Sequence, residues 1–535
     1  MTTWAIDGLR TMTGIVWRTG WRTITGWVIG IVALAVVTVG SVAGLYDTPD
    51  KLRGYAASLS GGAAEMLNGE VAGVDTLGGV FANEFAVILS FGIPLMAIAL
   101  TGRATRRDEA AGRLELLLSA CIGRRAPLLA AAGVATGALA VTSALCGLAM
   151  FGFGAEAAGS GVYALGIWSV GTVFVGVTAI AAQLVEHQQG VWGISLTVML
   201  VAYLLRGAGA IGDNALRWLS PLGWNDEARA FGDTRLWPLA LTLFVACILG
   251  VVAMWLSTRR DVGSALIRPR ASAPRASPLL RTPLGLALRQ HRGSILAWSV
   301  GVAAFMAMYG SLTPEVLSAI EENPAIGDIL GADTQAGAER LLLTVMSTFV
   351  LTLAMIVTAF VIAGLGSLRT EETTARLELD LSARRSRRHW LGTHLVVVGG
   401  GAVVVGGCGT LALAVATAAS TGDGTWTARI VGGALAFIPA GALFAGLGVA
   451  LFGWQPRHQA AMAWSVFAAA ASIGYLGVGV GLPDWLVRLS PFRAVGADVV
   501  GSGPSPGGQA VLAATAGALA VAGFVGFGHR DIPVT

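Results

Sequence analysis

Charge is scarce in this chain of 535 residues: Asp, Glu, Lys and Arg together make up 12% of it. A soluble domain carries roughly a quarter of its residues charged, so this chain cannot cover a water-facing surface with charge. Lysine is nearly missing, Lys51 standing alone against 34 arginines. A phosphate loop, G-x-x-x-x-G-K-[ST], needs its lysine to reach the phosphates. Lys51 lies in Pro49-Asp50-Lys51-Leu52, so the chain has no such loop and cannot hydrolyse a nucleotide by that route. It also has no HExxH, no G-x-S-x-G and no cluster of Asp and His on one side, which argues against a membrane-embedded enzyme. Four cysteines, Cys121, Cys146, Cys247 and Cys408, fall outside every expected exterior loop, so no structural disulfide is expected.

What the chain does have is apolar length. Hydrophobic residues reach 55% and mean hydropathy is +0.71. A bilayer span takes about 20 apolar residues. Charge-free runs occur near 24–45, 85–102, 126–150, 161–183, 190–205 and 236–257, then near 294–311, 342–366, 395–418, 430–452, 460–480 and 507–527. Only the fifth is short. The first is too long for a cleaved leader and follows an amphipathic stretch (Trp4, Ile6, Leu9, Ile15, Val16) expected to lie at the interface. The fold expected is an all-α polytopic membrane protein of about twelve transmembrane helices in two pseudo-symmetric six-helix halves.

Arginine and lysine in alternate loops set the orientation. With the N-terminus inside, inner segments hold 25 of the 35 basic residues and 11 of the 31 acidic ones. Both termini are therefore expected in the cytoplasm, and the 74 glycines with an arginine-for-lysine bias suggest a GC-rich bacterial genome. No charged residue falls within the twelve runs. A proton- or ion-coupled transporter commonly keeps one there, so that class is disfavoured, though it stays open as the alternative reading.

The two halves repeat at an offset of roughly 263–271 residues. Arg18, Trp27 and Gly30 recur as Arg289, Trp298 and Gly301. RRDEAAGRLELLLSACIGRR at 106–125 recurs as RTEETTARLELDLSARRSRR at 369–388. His187-Gln188 recurs as His458-Gln459, and Leu219-Ser220-Pro221 as Leu489-Ser490-Pro491. Six spans return the chain to its starting side, so this is a parallel duplication. Residues 1–257 make the first half with its N-terminal interfacial helix. Residues 258–293, rich in arginine and proline, make a cytoplasmic linker suited to anionic lipid heads. Residues 294–535 make the second half.

The duplicated loop is the leading functional signal. On a helix, Glu109–Arg113 and Glu372–Arg376 are i,i+4 pairs in the favourable order. Leu114, Leu117 and Leu118 form an apolar stripe, kept in part by Leu377 and Leu381. A salt-bridged connector would show the same pattern, but its duplication favours a symmetric partner with two sockets. The motif EExxGRLELLLsxxxxRR between the second and third spans, present twice, resembles the permease subunits of bacterial ABC exporters for antibiotics and drugs, the tetronasin-export type in particular. The likeness covers both halves. It implies a non-catalytic subunit of the bacterial cell membrane whose coupling helices dock two copies of a cytoplasmic ABC ATPase, with ATP and Mg bound there and no cofactor on this chain. The residues implied are Arg106, Asp108, Glu109, Arg113, Leu114 and Glu115, with Arg369, Glu371, Glu372, Arg376, Leu377 and Glu378. Leu59-Ser60-Gly61-Gly62 imitates part of an ATPase signature but lies in an exterior loop.

The same resemblance implies that segments 206–235 and 481–506 close the pathway outside, with Trp218, Leu219, Pro221, Trp485, Leu489 and Pro491 as gate candidates; an interfacial aromatic belt is the plainer reading. His187, Gln188, His458 and Gln459 sit at the inner edge and are candidates for contact with an amphipathic cargo, or for capping helix ends. Neither a metal site nor a nucleic-acid partner is expected.

Overall fold

A computed structural model describes residues 7–531 apart from 60–61, 108, 110–111, 119–121, 212–213, 262–263, 268–277, 315–333, 375, 383–385, 478–481 and 497. Every regular element among the described residues is helical. Eleven of the helices are long and apolar enough to cross a membrane. That is the structure the medium demands, because a helix satisfies its backbone hydrogen bonds within one segment.

The chain divides into two compact units, Met1–Ala271 and Ser272–Thr535. Unit 1 holds α1 (Leu9–Leu45), α2 (Leu77–Gly102), α3 (Ala126–Gly152), α4 (Ala157–Leu184), α5 (Gln188–Ile211) and α6 (Trp237–Thr258). Unit 2 holds α7 (Pro283–Ser311), α8 (Thr334–Thr373), α9 (Arg387–Thr421), α10 (Thr425–Trp454, interrupted at Phe437), α11 (Gln459–Leu476) and α12 (Pro506–His529). α11 is the twelfth element expected from the hydrophobic runs. Its 18 residues rise only about 27 Å, and it does not count among the eleven.

Helix starts follow local chemistry. Thr76, Thr282, Ser386 and Ser505 each accept a hydrogen bond from the backbone N–H three residues on, at the heads of α2, α7, α9 and α12. These N-caps satisfy donors that the first turn leaves open. Pro283 and Pro506 follow directly, where their missing N–H costs nothing.

Each unit is assembled the same way. In unit 1, α1 packs on α3, α4 packs on α6, and α2 packs against α1, α3 and α4. In unit 2, α7 packs on α9, α10 packs on α12, and α8 packs against α7, α9 and α10. Small residues set the closest approaches. A Cβ on Gly147 of α3 would lie 2.9 Å from the Ser160 carbonyl of α4, and one on Gly310 of α7 would lie 2.6 Å from that of Leu413 on α9. The glycine run on α9 serves this less than its composition suggests. Gly401 abuts Phe360 and Ile295, whereas Gly399, Gly400 and Gly407 meet open space.

Three expectations change. The amphipathic start is no separate interfacial helix from Leu9 onward: α1 is continuous, and Met12 and Val16 pack on Ala126 and Ala130. Trp4 and Ile6 lie outside the described residues. α7 begins at Pro283, within the stretch expected to be linker, while Leu266 and Ile267 hydrogen-bond back to Gln183 and Leu184. The fifth span is not short. α5 runs to Ile211, through Arg206, the charge at which the apolar run stops.

Candidate functional site

The duplicated loop does not form one continuous helix in unit 1. α2 passes into a π-helical turn, Arg103–Arg107, and Gly112 takes φ +70 before the short helix Arg113–Leu118. That left-handed residue separates Glu109 from the short helix that opens at Arg113. Asp108 lies outside the described residues, as does the Arg113 side chain. Glu109 turns inward. Its carboxylate receives Arg106 at 3.2 Å and is held by Arg260 through both oxygens, at 2.6 and 2.9 Å. The Glu109 side chain is 4% exposed and that of Arg106 is 2% exposed. Arg106 also donates to the carbonyls of Ala182 and Ser264, and Arg260 to the Gln183 side chain at 2.6 Å.

Unit 2 repeats the design. Glu372 meets Arg369 at 2.8 Å and Arg530 at 3.0 Å, although neither of its oxygens is aligned for a hydrogen bond. Arg376 pairs with Glu371 at 3.6 Å rather than with Glu372. The expected Glu372–Arg376 pair is thus replaced, because Glu372 faces the bundle while Arg376 is exposed. Arg260 and Arg530 follow the last helix of their units, and neither was visible in the loop motif. A shared offset of 270 residues, the same as between Ser220 and Ser490, was the available signal.

The short helices present different faces. In Arg376–Ser382, Leu377 is fully buried and Leu379 is 73% exposed, with Glu378 half-buried between them. In Arg113–Leu118, Glu115 is exposed and Leu114 half-buried, while Leu117 packs against the cluster of Met12, Val16, Ala126 and Ala130.

At the opposite end of unit 1 lies a polar cluster that the sequence reading missed. Arg206 of α5 binds Asp226 through both carboxylate oxygens, at 2.6 and 3.1 Å, and donates to Ser90 of α2 at 2.7 Å and to the Asn68 carbonyl. Asn68 donates to Asn83, Asn83 to the Tyr55 hydroxyl, and Tyr55 to Glu84 at 2.6 Å. Glu70 pairs with Arg217 and Arg229. Burial pushes the Asp226 carboxyl up to about 6 against the opposing pull of Arg206. Burial and the Glu84 carboxylate likewise push the Tyr55 phenol up. A cavity of about 60 Å³ adjoins the ion pair, with Ala86 and Ile167 on its apolar wall and Tyr163 and Asn225 among its polar lining.

The gate candidates occupy short helices at this end of each unit. Trp218 and Leu219 end the turn Ala215–Leu219, and Pro221 opens the helix Pro221–Asp226. Trp218 stacks on Trp237 at 5.1 Å, while Leu219 is largely exposed. Trp485 and Leu489 lie on Asp484–Leu489, both exposed, and Pro491 opens the next turn. The serines between them act alike: Ser220 donates to the Ala202 carbonyl and Ser490 to that of Ala470, each at 2.7 Å.

The cargo candidates are brought to helix starts. His187 and His458 are exposed, and their carbonyls accept from the first turns of α5 and α11. Gln188 is half-buried. Gln459 is buried and ties α11 to the carbonyls of Leu365 and Gly448. None of the four lines the cavity in unit 1.

Two six-helix bundles of one design, built on long and predominantly apolar helices, define a multi-pass membrane permease. The sequence comparisons agree. The chain belongs to the family described as "Multidrug efflux system permease Rv1217c, C-terminal domain", whose model matches residues 9–256 and 280–528. It is 34% identical over 514 residues to the multidrug efflux system permease protein Rv1217c of Mycobacterium tuberculosis, covering 95% of this chain and 92% of that one.

Proposed function

We propose that this permease is the membrane subunit of an ATP-driven ABC exporter of the tetronasin-export type, carrying amphipathic drugs or antibiotics out of the bacterial cell. ATP and Mg bind in two copies of a separate cytoplasmic ATPase, which dock on the loops containing Arg113–Leu118 and Arg376–Ser382. The observation that carries this reading is the duplicated loop. Both copies anchor a buried glutamate to the bundle and leave a short helix beside it, on the side where basic residues concentrate. Each unit thereby has one rigid lever for an outside source of force, and the lysine-poor chain has no phosphate loop of its own. Proteoliposomes holding this chain and its ATPase should export an amphipathic dye only with ATP and Mg. Dye export by this chain alone, unaffected by removing the ATPase, would rule it out.

A second reading gains from Arg206 and Asp226. The helices extend past the charge-free runs, so a buried ionisable pair exists at the edge of α5 after all, of the kind proton-coupled transporters commonly keep. Export driven by a pH gradient without ATP, and lost in Asp226→Asn, would favour it.

A further inference from the structure

The buried glutamate of each loop is one corner of a larger constellation, and the constellation occurs twice. In unit 1, Arg106 and Arg260 share the Glu109 carboxylate, and Arg124 at the head of α3 donates to the Arg260 carbonyl. In unit 2, Arg369 and Arg530 share the Glu372 carboxylate, and Arg387 at the head of α9 donates to the Arg530 carbonyl at 2.6 Å. All four residues correspond: Arg106, Glu109 and Arg124 at an offset of 263, Arg260 at 270. The two loop segments share 11 of 20 residues, but these four keep the same mutual contacts as well as the same identities, and that recurrence of contacts needs a reason.

Geometry supplies one. Arg260 and Arg530 are the first or second residues beyond α6 and α12. Through its side chain each grips the glutamate where the second span passes into the loop, Glu109 just beyond α2 and Glu372 in the last turn of α8, and through its carbonyl it holds the head of the third span. A guanidinium does this well, because its planar fork can bind two oxygens at once. Arg530 is fixed further by lying over the rings of Phe452 and Phe527, at 5.1 and 5.7 Å to the centroids. In unit 1, Gln183 does similar work on Arg260. The loop therefore cannot shift without taking the end of the last span with it. That span begins, at its far end, as the next helix after the short gate-bearing ones, across connections of 227–236 and 495–505.

We infer that Arg260 and Arg530 are positioning residues that transmit displacement of the two loops to the last span of each unit. This deepens the ABC reading and rests on it. Breaking the grip should leave the ATPase docked and turning over while cargo no longer moves. A residue needed only for folding would lower assembly, turnover and export together.

The test uses the full complex with its ATPase, in proteoliposomes, comparing Arg260→Gln, Arg530→Gln and the charge-keeping Arg260→Lys and Arg530→Lys. Co-purified ATPase, ATP turnover and dye export are read for each. The inference expects assembly within twofold of the unsubstituted complex, turnover within about threefold, and dye exported per ATP at least tenfold lower in the Gln variants. The Lys variants should lie between. If a Gln variant fails to assemble, the Lys variants decide: dye per ATP equal to the unsubstituted complex overturns the inference, as does a parallel fall in turnover and export. Failure of the unsubstituted complex to export with ATP overturns the ABC reading itself, a separate result.

Discussion

Arg206 and Asp226 form a two-pronged ion pair between α5 and the short helix that precedes α6, with oxygens at 2.6 and 3.1 Å and side chains 4% and 12% exposed. Buried pairs of this kind contribute little net stability compared with well-packed apolar residues, yet removing one partner is costly. Arg206→Ala should lower stability by about 3–5 kcal/mol. The double replacement Arg206→Met with Asp226→Leu should recover most of that. Thermal unfolding of the purified protein, read by tryptophan fluorescence, checks both.

The same pair makes unit 1 sensitive to pH. The Asp226 carboxyl titrates near 6 when folded, above its ordinary value of 3.8. The folded state thus holds the proton more tightly than the unfolded state does. Stability from this group is present below about pH 4 and is lost as pH rises through 6, on the order of 1–3 kcal/mol across the window. Unfolding midpoints should therefore rise between pH 7.5 and pH 5 relative to Asp226→Asn, which lacks this component. A parallel pH profile in the variant would contradict it.

Glu109 and Glu372 should tolerate neutralisation unequally. Glu109→Gln strands two nearly buried guanidiniums, at a cost of about 3–5 kcal/mol. Around Glu372 the Arg369 side chain is 32% exposed and Arg530 16%, so water screens them and Glu372→Gln should cost about 1–3 kcal/mol. Comparing the two midpoints tests the order.

On Arg376–Ser382, two apolar residues either side of Glu378 should separate docking from folding. Leu377→Ala removes a fully buried side chain and should cost about 2–5 kcal/mol. Leu379→Asp changes an exposed one, so the midpoint should move by no more than about 0.5 kcal/mol while co-purified ATPase falls tenfold or more.

The histidines at the helix starts should be dispensable. His187→Ala and His458→Ala keep the backbone carbonyls that cap α5 and α11 and should leave dye export within twofold. Gln459→Ala removes a buried amide bonded to two carbonyls and should cost about 1–3 kcal/mol.

The long helices were legible because membrane spans announce themselves by unbroken apolarity, and the duplication because its charged loops repeat in order. Pairing was not. Helical spacing points from Glu109 only to neighbours within its own loop, whereas Arg260, which grips it through both oxygens, lies 151 residues away. Contacts between a loop and the far end of its bundle leave no periodic trace. Arg206 was misread for the opposite reason. A charge normally ends a hydrophobic run, and only a folded partner such as Asp226 lets one continue through it.

The unlike chemistry at the gate-candidate ends of the bundles has an evolutionary consequence. Identical subunits must accept every mutation twice, whereas a fused gene accepts it once. At the 270-residue offset from Arg206 and Asp226 stand Leu476 and Gly496, and that end of the second bundle is tied instead by Ser347 to Asp498 at 2.8 Å. Fusion allowed one copy to build on a buried arginine–aspartate pair while its sibling relies on a serine–aspartate contact, a division of labour closed to any homodimer.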